Sequence, residues 1–160
     1  MCSSDLGLAQ PEIRQASVGV EQTYGPVRLA TTLLHRQGAH ELRGIDANAP
    51  VNGARPDVSA GPITEVRPVA RSGATALSVN LNIVRPERHM FIAANYTLAS
   101  DWNEADSPFS LPADAANLAA ERGPAVDDAR HRVMGFASMP AGHGLTLGVS
   151  VSARSEEHTS

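Results

Sequence analysis

Residues 77–84 read LSVNLNIV, and the alternation in that stretch decides the fold. Leu77, Val79, Leu81 and Ile83 recur at every second position, with Ser78, Asn80 and Asn82 between them. A period of two places successive side chains on opposite faces of an extended strand. One face is therefore aliphatic and the other neutral and polar. The same pattern recurs in GLTLGVSVSA, where Leu145, Leu147, Val149 and Val151 alternate with Thr146, Gly148, Ser150 and Ser152. In HMFIAANYTL, Met90, Ile92, Ala94, Tyr96 and Leu98 share a face, with Asn95 and Thr97 opposite. VRLATTLLHR sets Val27, Leu29, Thr31 and Leu33 against Arg28, Ala30 and Thr32. SVGVEQTY (17–24) and RVMGFASM (132–139) alternate less cleanly and complete a set of six strands.

The connections sort into two kinds. Gly25-Pro26, RPER (85–88) and PAGHG (140–144) carry the Gly and Pro of tight turns. About 37–62 and about 100–130 are long polar segments rich in Pro, Gly, Asn, Asp and Ala. Unstructured connections beyond roughly 15 residues are uncommon in compact domains and tend to be functional. Short and long connections alternate, so antiparallel strands put all the short turns at one end. The expected fold is all-β, an up-and-down antiparallel meander of about six strands. Outer-membrane barrels combine strands of this length with short turns at one end and long loops at the other. A soluble β-sandwich also buries one face of each strand and is the competing architecture. The scarcity of charge on the polar faces favours the barrel.

Composition removes other classes. The chain has no Lys, and RHR at Arg130–Arg132 is too short for a basic patch, so no nucleic-acid partner is expected. The longest apolar run is MFIAA, far below the roughly 20 residues of a membrane helix. The ends, MCSSDL and RSEEHTS, are each encodable by opposite strands of one DNA segment resembling a sequencing-library adapter. Residues 1–6 and 154–160 are accordingly expected to be adapter-derived, and 7–153 to be a fragment open at both ends. Setting aside Arg154, Asp5, Glu156 and Glu157 leaves 12 of 13 Arg and 14 of 17 acidic residues, a formal charge of −2. Cys2, the one cysteine, falls in the leader, so neither a disulfide nor a cysteine metal site is expected.

No stretch carries a catalytic or cofactor pattern. The histidines His35, His40, His89, His131 and His143 have no zinc-like spacing. His131 beside Asp127 and Asp128 reads as a charged opening to a strand. Asp101, Glu104, Asp106 and Asp114 lack the spacing of a calcium loop and read as a solvated acidic segment. Ser110 has no neighbouring base, and AGHG is too short for a phosphate loop. The sequon Asn95-Tyr96-Thr97 falls inside a strand. Pro50, Pro56 and Pro62 stiffen the first long segment. Catalytic residues, metal and cofactors are expected to be none.

The segment NYTLASDWNEADSPFSLPADAANLAAERGPAVDDARHRV, Asn95 to Val133, resembles the barrel region of TonB-dependent receptors. The likeness is to the Oar-like group with a carboxypeptidase-regulatory-like front domain. IRQASVGVEQ, HELRGIDANAPVNGARP and ITEVRPVARS extend it over most of 7–153. Departures are the low aromatic content, 4%, where such barrels carry aromatic girdles, and ASDWNEADS where SRSRNDTDG is expected. Tyr24, Tyr96 and Trp102 stand as candidate girdle residues.

The resemblance implies a section of the wall of a plugged receptor in the bacterial outer membrane, without catalysis. Its partners would be outer-membrane lipid, an unknown external ligand, and the TonB energy-coupling complex through an N-terminal plug outside this sequence. In that setting Asn80, Asn82, Asn95 and Thr97 face the lumen. Leu77, Val79, Leu81, Ile83, Leu145, Leu147 and Val149 face lipid. The alternative is a secreted β-sandwich binding module, for carbohydrate for instance. The ligand-binding residues stay unknown at this level.

Overall fold

The computed structural model describes residues 9–114, 117–126 and 128–155. The chain is all-β, with 67% of residues in strands and 5% in short helical turns. The strands are β1 (Glu12–Tyr24), β2 (Val27–Asp46), β3 (Thr64–Arg85), β4 (Met90–Asn103), β5 (Gly123–Pro124), β6 (His131–Gly142) and β7 (Leu145–Ser155). They form one antiparallel sheet in the order β1-β2-β3-β4-β6-β7, with β5 paired to β4. The sheet does not close on itself into a barrel, so β1 and β7 are its edges.

Each tight connection has a local cause. Gly25 turns β1 into β2 with φ +55°, a left-handed conformation that costs glycine nothing. Pro86 opens a 3-10 turn, Pro86–Arg88, between β3 and β4, and His89 leaves it left-handed. His143 and Gly144, both at positive φ, make the two-residue hairpin from β6 to β7. A bulge between Pro140 and Gly142 adjusts the register just before it.

The strands outrun the alternation that reveals them. β2 continues from the expected end near Arg36 to Asp46, and β3 begins at Thr64 rather than near Leu77. The long connections shrink to 47–63 and 104–130, and the second contains the seventh strand, β5. Trp102 pairs with Pro124 and Asn103 with Gly123 there. Backbone pairing extends these strands where Glu41, Arg43, Glu65, Arg67 and Arg71 interrupt any apolar periodicity.

Two compact units share the strands. The first contains 36–73, 101–126 and the chain up to Arg14. The second contains 15–35, 74–100 and the chain after residue 127. Among the described residues the buried apolar side chains are Ala70, Ala74 and Ala129, joined by polar Arg43 and Asn48. Three alanines are not a hydrophobic core. A sheet with one apolar face gains stability by covering it, and most of the large apolar side chains here are uncovered. Residues 1–6 and 156–160 lie outside the description, whereas Arg154 and Ser155 belong to β7.

Candidate functional site

In the second unit the register of β4, β6 and β7 builds two chemically distinct faces. Directly paired residues in an antiparallel ladder share a face. Ile92, Ala137 and Val149 form one row; Ala94, Gly135 and Val151 the next; Tyr96, Val133 and Ala153 a third. Leu147 pairs with Met139 at the hairpin end, and Leu145 meets Gly142 beyond the bulge. A hollow of about 220 Å³ bounded by Leu33, Leu77 and Leu98 carries this apolar face across β2 and β3. Alternation along β3 adds Val79, Leu81 and Ile83. Along β7 these side chains stand in the open, Leu147 52% exposed, Val149 56% and Val151 60%, while Leu77, Val79, Leu81, Ile83 and Ile92 on the inner strands are half-buried.

The opposite face is polar and hydrogen-bonded. Asn95 donates to Asn80 Oδ1 at 2.7 Å, and Thr97 donates to Asn95 Oδ1 at 3.2 Å. The Ser78 and Thr97 hydroxyls lie 3.3 Å apart. Asn80, Asn82 and Asn95 line a hollow of about 530 Å³ with Ser150 and Ser152. The structure thus brings Asn80, Asn95 and Thr97 into one network and adds Asn82 beside it. It also puts Met134 and Phe136 on this face, paired with Asn95 and Ala93. Phe136 leans on Phe91, ring centroids 6.0 Å apart. RVMGFASM did carry the signal, since Met134, Phe136 and Ser138 alternate with small residues, but Gly135 and Ala137 left the other face indistinct.

The apolar face ends in a polar row. His131 pairs with Leu98, and its Nδ1 lies 2.8 Å from the Tyr96 hydroxyl with the rings stacked. His35 Nδ1 lies 3.0 Å from the Thr75 hydroxyl. His131, read from the sequence as part of a charged strand opening, is the first residue of β6 and contacts Tyr96; Asp127 lies outside the described residues. Tyr and His have amphipathic rings suited to a boundary between apolar and wet surroundings.

The first unit holds tightly bonded connections. The buried amide of Asn48 donates to the carbonyls of Asp57, Ala60 and Gly61 at 2.9–3.1 Å. Its Oδ1 accepts the Asp57 N–H at 2.8 Å. Asp46 Oδ1 accepts the N–H groups of Asn48 and Ile63, and Asp46 Oδ2 accepts from Arg55 at 2.9 Å. Partial burial works to raise the Asp46 pKa, but Arg55 and the two N–H donors outweigh it and leave it lowered. Asp57 is lowered by the Ser59 hydroxyl and N–H.

Arg43, its side chain 2% exposed, binds the Glu104 carbonyl and reaches Glu121 Oε2 at 3.2 Å. Glu121 Oε1 accepts the Ala113 N–H at 2.8 Å, so one carboxylate fastens two parts of the second connection. Arg122 stacks over Trp102, 3.7 Å from the ring centroid. The acidic residues of this segment do not converge. Glu104 accepts the Arg71 N–H and Asp106 accepts from Asn103. Among the described residues no group of three or more acidic, histidine or cysteine side chains is placed to hold a metal.

No helix among the described residues is long and apolar enough to cross a membrane, which leaves crossing by strands open. No protein-family model matches the chain, and neither do any curated proteins or solved structures.

Proposed function

We propose that this chain is a section of the wall of an outer-membrane β-barrel, of the TonB-dependent receptor kind, and has no catalytic role. The observation that carries the proposal is the uncovered apolar face of the second unit, in register across β4, β6 and β7. In water such a surface is a liability, because monomeric soluble proteins rarely expose contiguous apolar patches beyond a few hundred Å². Against acyl chains it is the stabilising surface. Burying one Leu or Val side chain contributes roughly 1.5–3 kcal/mol, and this face presents many.

The dimensions agree. On β4 the apolar face runs from Met90 to Leu98, nine residues, close to the roughly 9–11 with which a tilted strand crosses a bilayer. It ends where Tyr96 meets His131. The polar face, with Asn80, Asn82, Asn95 and Thr97, then belongs to the lumen. The open edges β1 and β7 belong against further hairpins of the same barrel, since a free strand edge cannot lie in hydrocarbon. The likeness of 95–133 to TonB-dependent receptors supplies the receptor kind, and with it coupling through TonB and an external ligand. A secreted β-sandwich would cover the same apolar face with a second sheet, whereas the strands here lie in one.

Fractionation tests the proposal. Expressed from the complete gene in a Gram-negative host, the product should sediment with outer membranes and resist alkaline carbonate extraction. Recovery as a soluble monomer rejects it.

A further inference from the structure

We infer that the hollow on the polar face of β3, β4, β6 and β7 is a binding subsite for a neutral oligosaccharide. The inference names a ligand class for the proposed receptor and rests on that reading only in assigning the hollow to the lumen. Its volume, about 530 Å³, lies within the range of small-ligand sites and holds a few sugar rings. Three features of its lining specify the chemistry.

First, the hydrogen-bonding groups are neutral and partly unused. Asn95 spends its amide on Asn80 and Thr97, which fixes its orientation. Asn82, Ser150 and Ser152 make no side-chain hydrogen bond among the described residues. Amides and hydroxyls that both donate and accept match vicinal sugar hydroxyls, which do the same.

Second, an aromatic ring lies among them. Phe136 is 44% exposed and braced by Phe91. Its apolar face suits the C–H face of a pyranose, leaving the rim hydroxyls to the Asn and Ser side chains. Third, no charged side chain lines the hollow. Arg132 and Arg154 pair with each other one row beyond Met134 and Ser152, and each already has an interaction within the chain. An anionic ligand confined to the hollow would lose its hydration without a cation in the lining, Arg132 and Arg154 belonging to the adjoining hollow that shares Met134 and Ser152.

The test uses the product of the complete gene, purified in a sugar-free detergent such as lauryldimethylamine oxide. Calorimetric titration with cellohexaose, maltohexaose, mannohexaose and xylohexaose is compared with hexagalacturonate as the charged counterpart. At least one neutral hexaose should bind, and hexagalacturonate should bind at least tenfold more weakly than the best of them. Asn82→Ala and Ser152→Ala should each weaken binding about three- to tenfold, the range one lost hydrogen bond supplies. Neither side chain is buried, and circular dichroism reports whether each variant keeps its strands. Phe136→Leu should weaken binding while Val149→Ala, on the opposite face, leaves it unchanged. Binding by no neutral hexaose, equal binding of hexagalacturonate, or indifference to both Asn82→Ala and Ser152→Ala overturns the inference. Sugar binding by a chain that fractionates as soluble supports the subsite while rejecting the barrel.

Discussion

Asn95 Nδ2 meets Asn80 Oδ1 at 2.7 Å across the β3–β4 pair, and this bond ties the two strands together on their polar face. A slip of one residue would carry Asn80 to the other face and bring Val79 or Leu81 opposite Asn95. The sidedness of the sheet therefore rests on polar pairing as well as on aliphatic alternation.

That sidedness predicts asymmetric tolerance to charge. In the proposed barrel Leu81→Arg near the midplane should cost about 2–4 kcal/mol, and Asn82→Arg, on the neighbouring residue, markedly less. Urea unfolding in lipid vesicles measures both. Equal costs would contradict the orientation.

The boundary pair makes a smaller, local prediction. Tyr96→Phe removes the hydroxyl from His131 while keeping the stacked ring. It should cost about 0.5–1.5 kcal/mol, the net value of one hydrogen bond. The same unfolding measurement reports it.

The buried guanidinium predicts a larger effect. Glu121→Ala leaves Arg43 with the Glu104 carbonyl as its remaining hydrogen-bond partner and also frees the Ala113 N–H. The expected loss is about 1–3 kcal/mol, the scale of a hydrogen bond to a charged group, since Glu121 itself is partly exposed. Increased hydrogen exchange across 104–122 should accompany it.

Acid should loosen the first connection. Asp46 and Asp57 have folded pKa values below their ordinary 3.8, so each prefers the folded state when ionised. Their contribution is complete above the unfolded value and is lost as pH falls through the lowered folded value. Amide exchange protection at Asn48, Asp57 and Ile63 should hold down to about pH 4 and fall below it. Protection that stays flat to pH 2 would show that these carboxylates do not hold the loop.

Trp102, the one tryptophan, reports on its own packing. A methyl at Gly73 would clash with the Trp102 indole. Gly73→Ala should displace the ring from Arg122 and change the fluorescence emission maximum, whereas Gly61→Ala, with open space around it, should not.

Much of the fold was legible because its rules are local. LSVNLNIV and GLTLGVSVSA declare their faces by alternation, and Gly25, Pro86 and Gly144 mark the turns. The strand extensions at 37–46 and 64–76 were not legible, because backbone pairing sustains them where charged residues break the period. Nor does anything local distinguish Arg43 from the other twelve arginines. Its burial follows from Glu104 and Glu121 arriving from distant parts of the chain. Asn48 is similar, since its partners are backbone carbonyls, which every residue possesses. The hollow beside Phe136 required the β6 register, which Gly135 and Ala137 obscure in the sequence.

The central claim, that the Val149 face meets lipid and the Ser150 face does not, is tested most directly by spin-label accessibility. Val149→Cys and Ser150→Cys are introduced singly and spin-labelled in the proposed barrel, reconstituted in lipid vesicles. The label at 149 should collide preferentially with oxygen, which concentrates in the bilayer, and the label at 150 with a water-soluble nickel chelate. Equal access of the nickel chelate to both positions would contradict the claim.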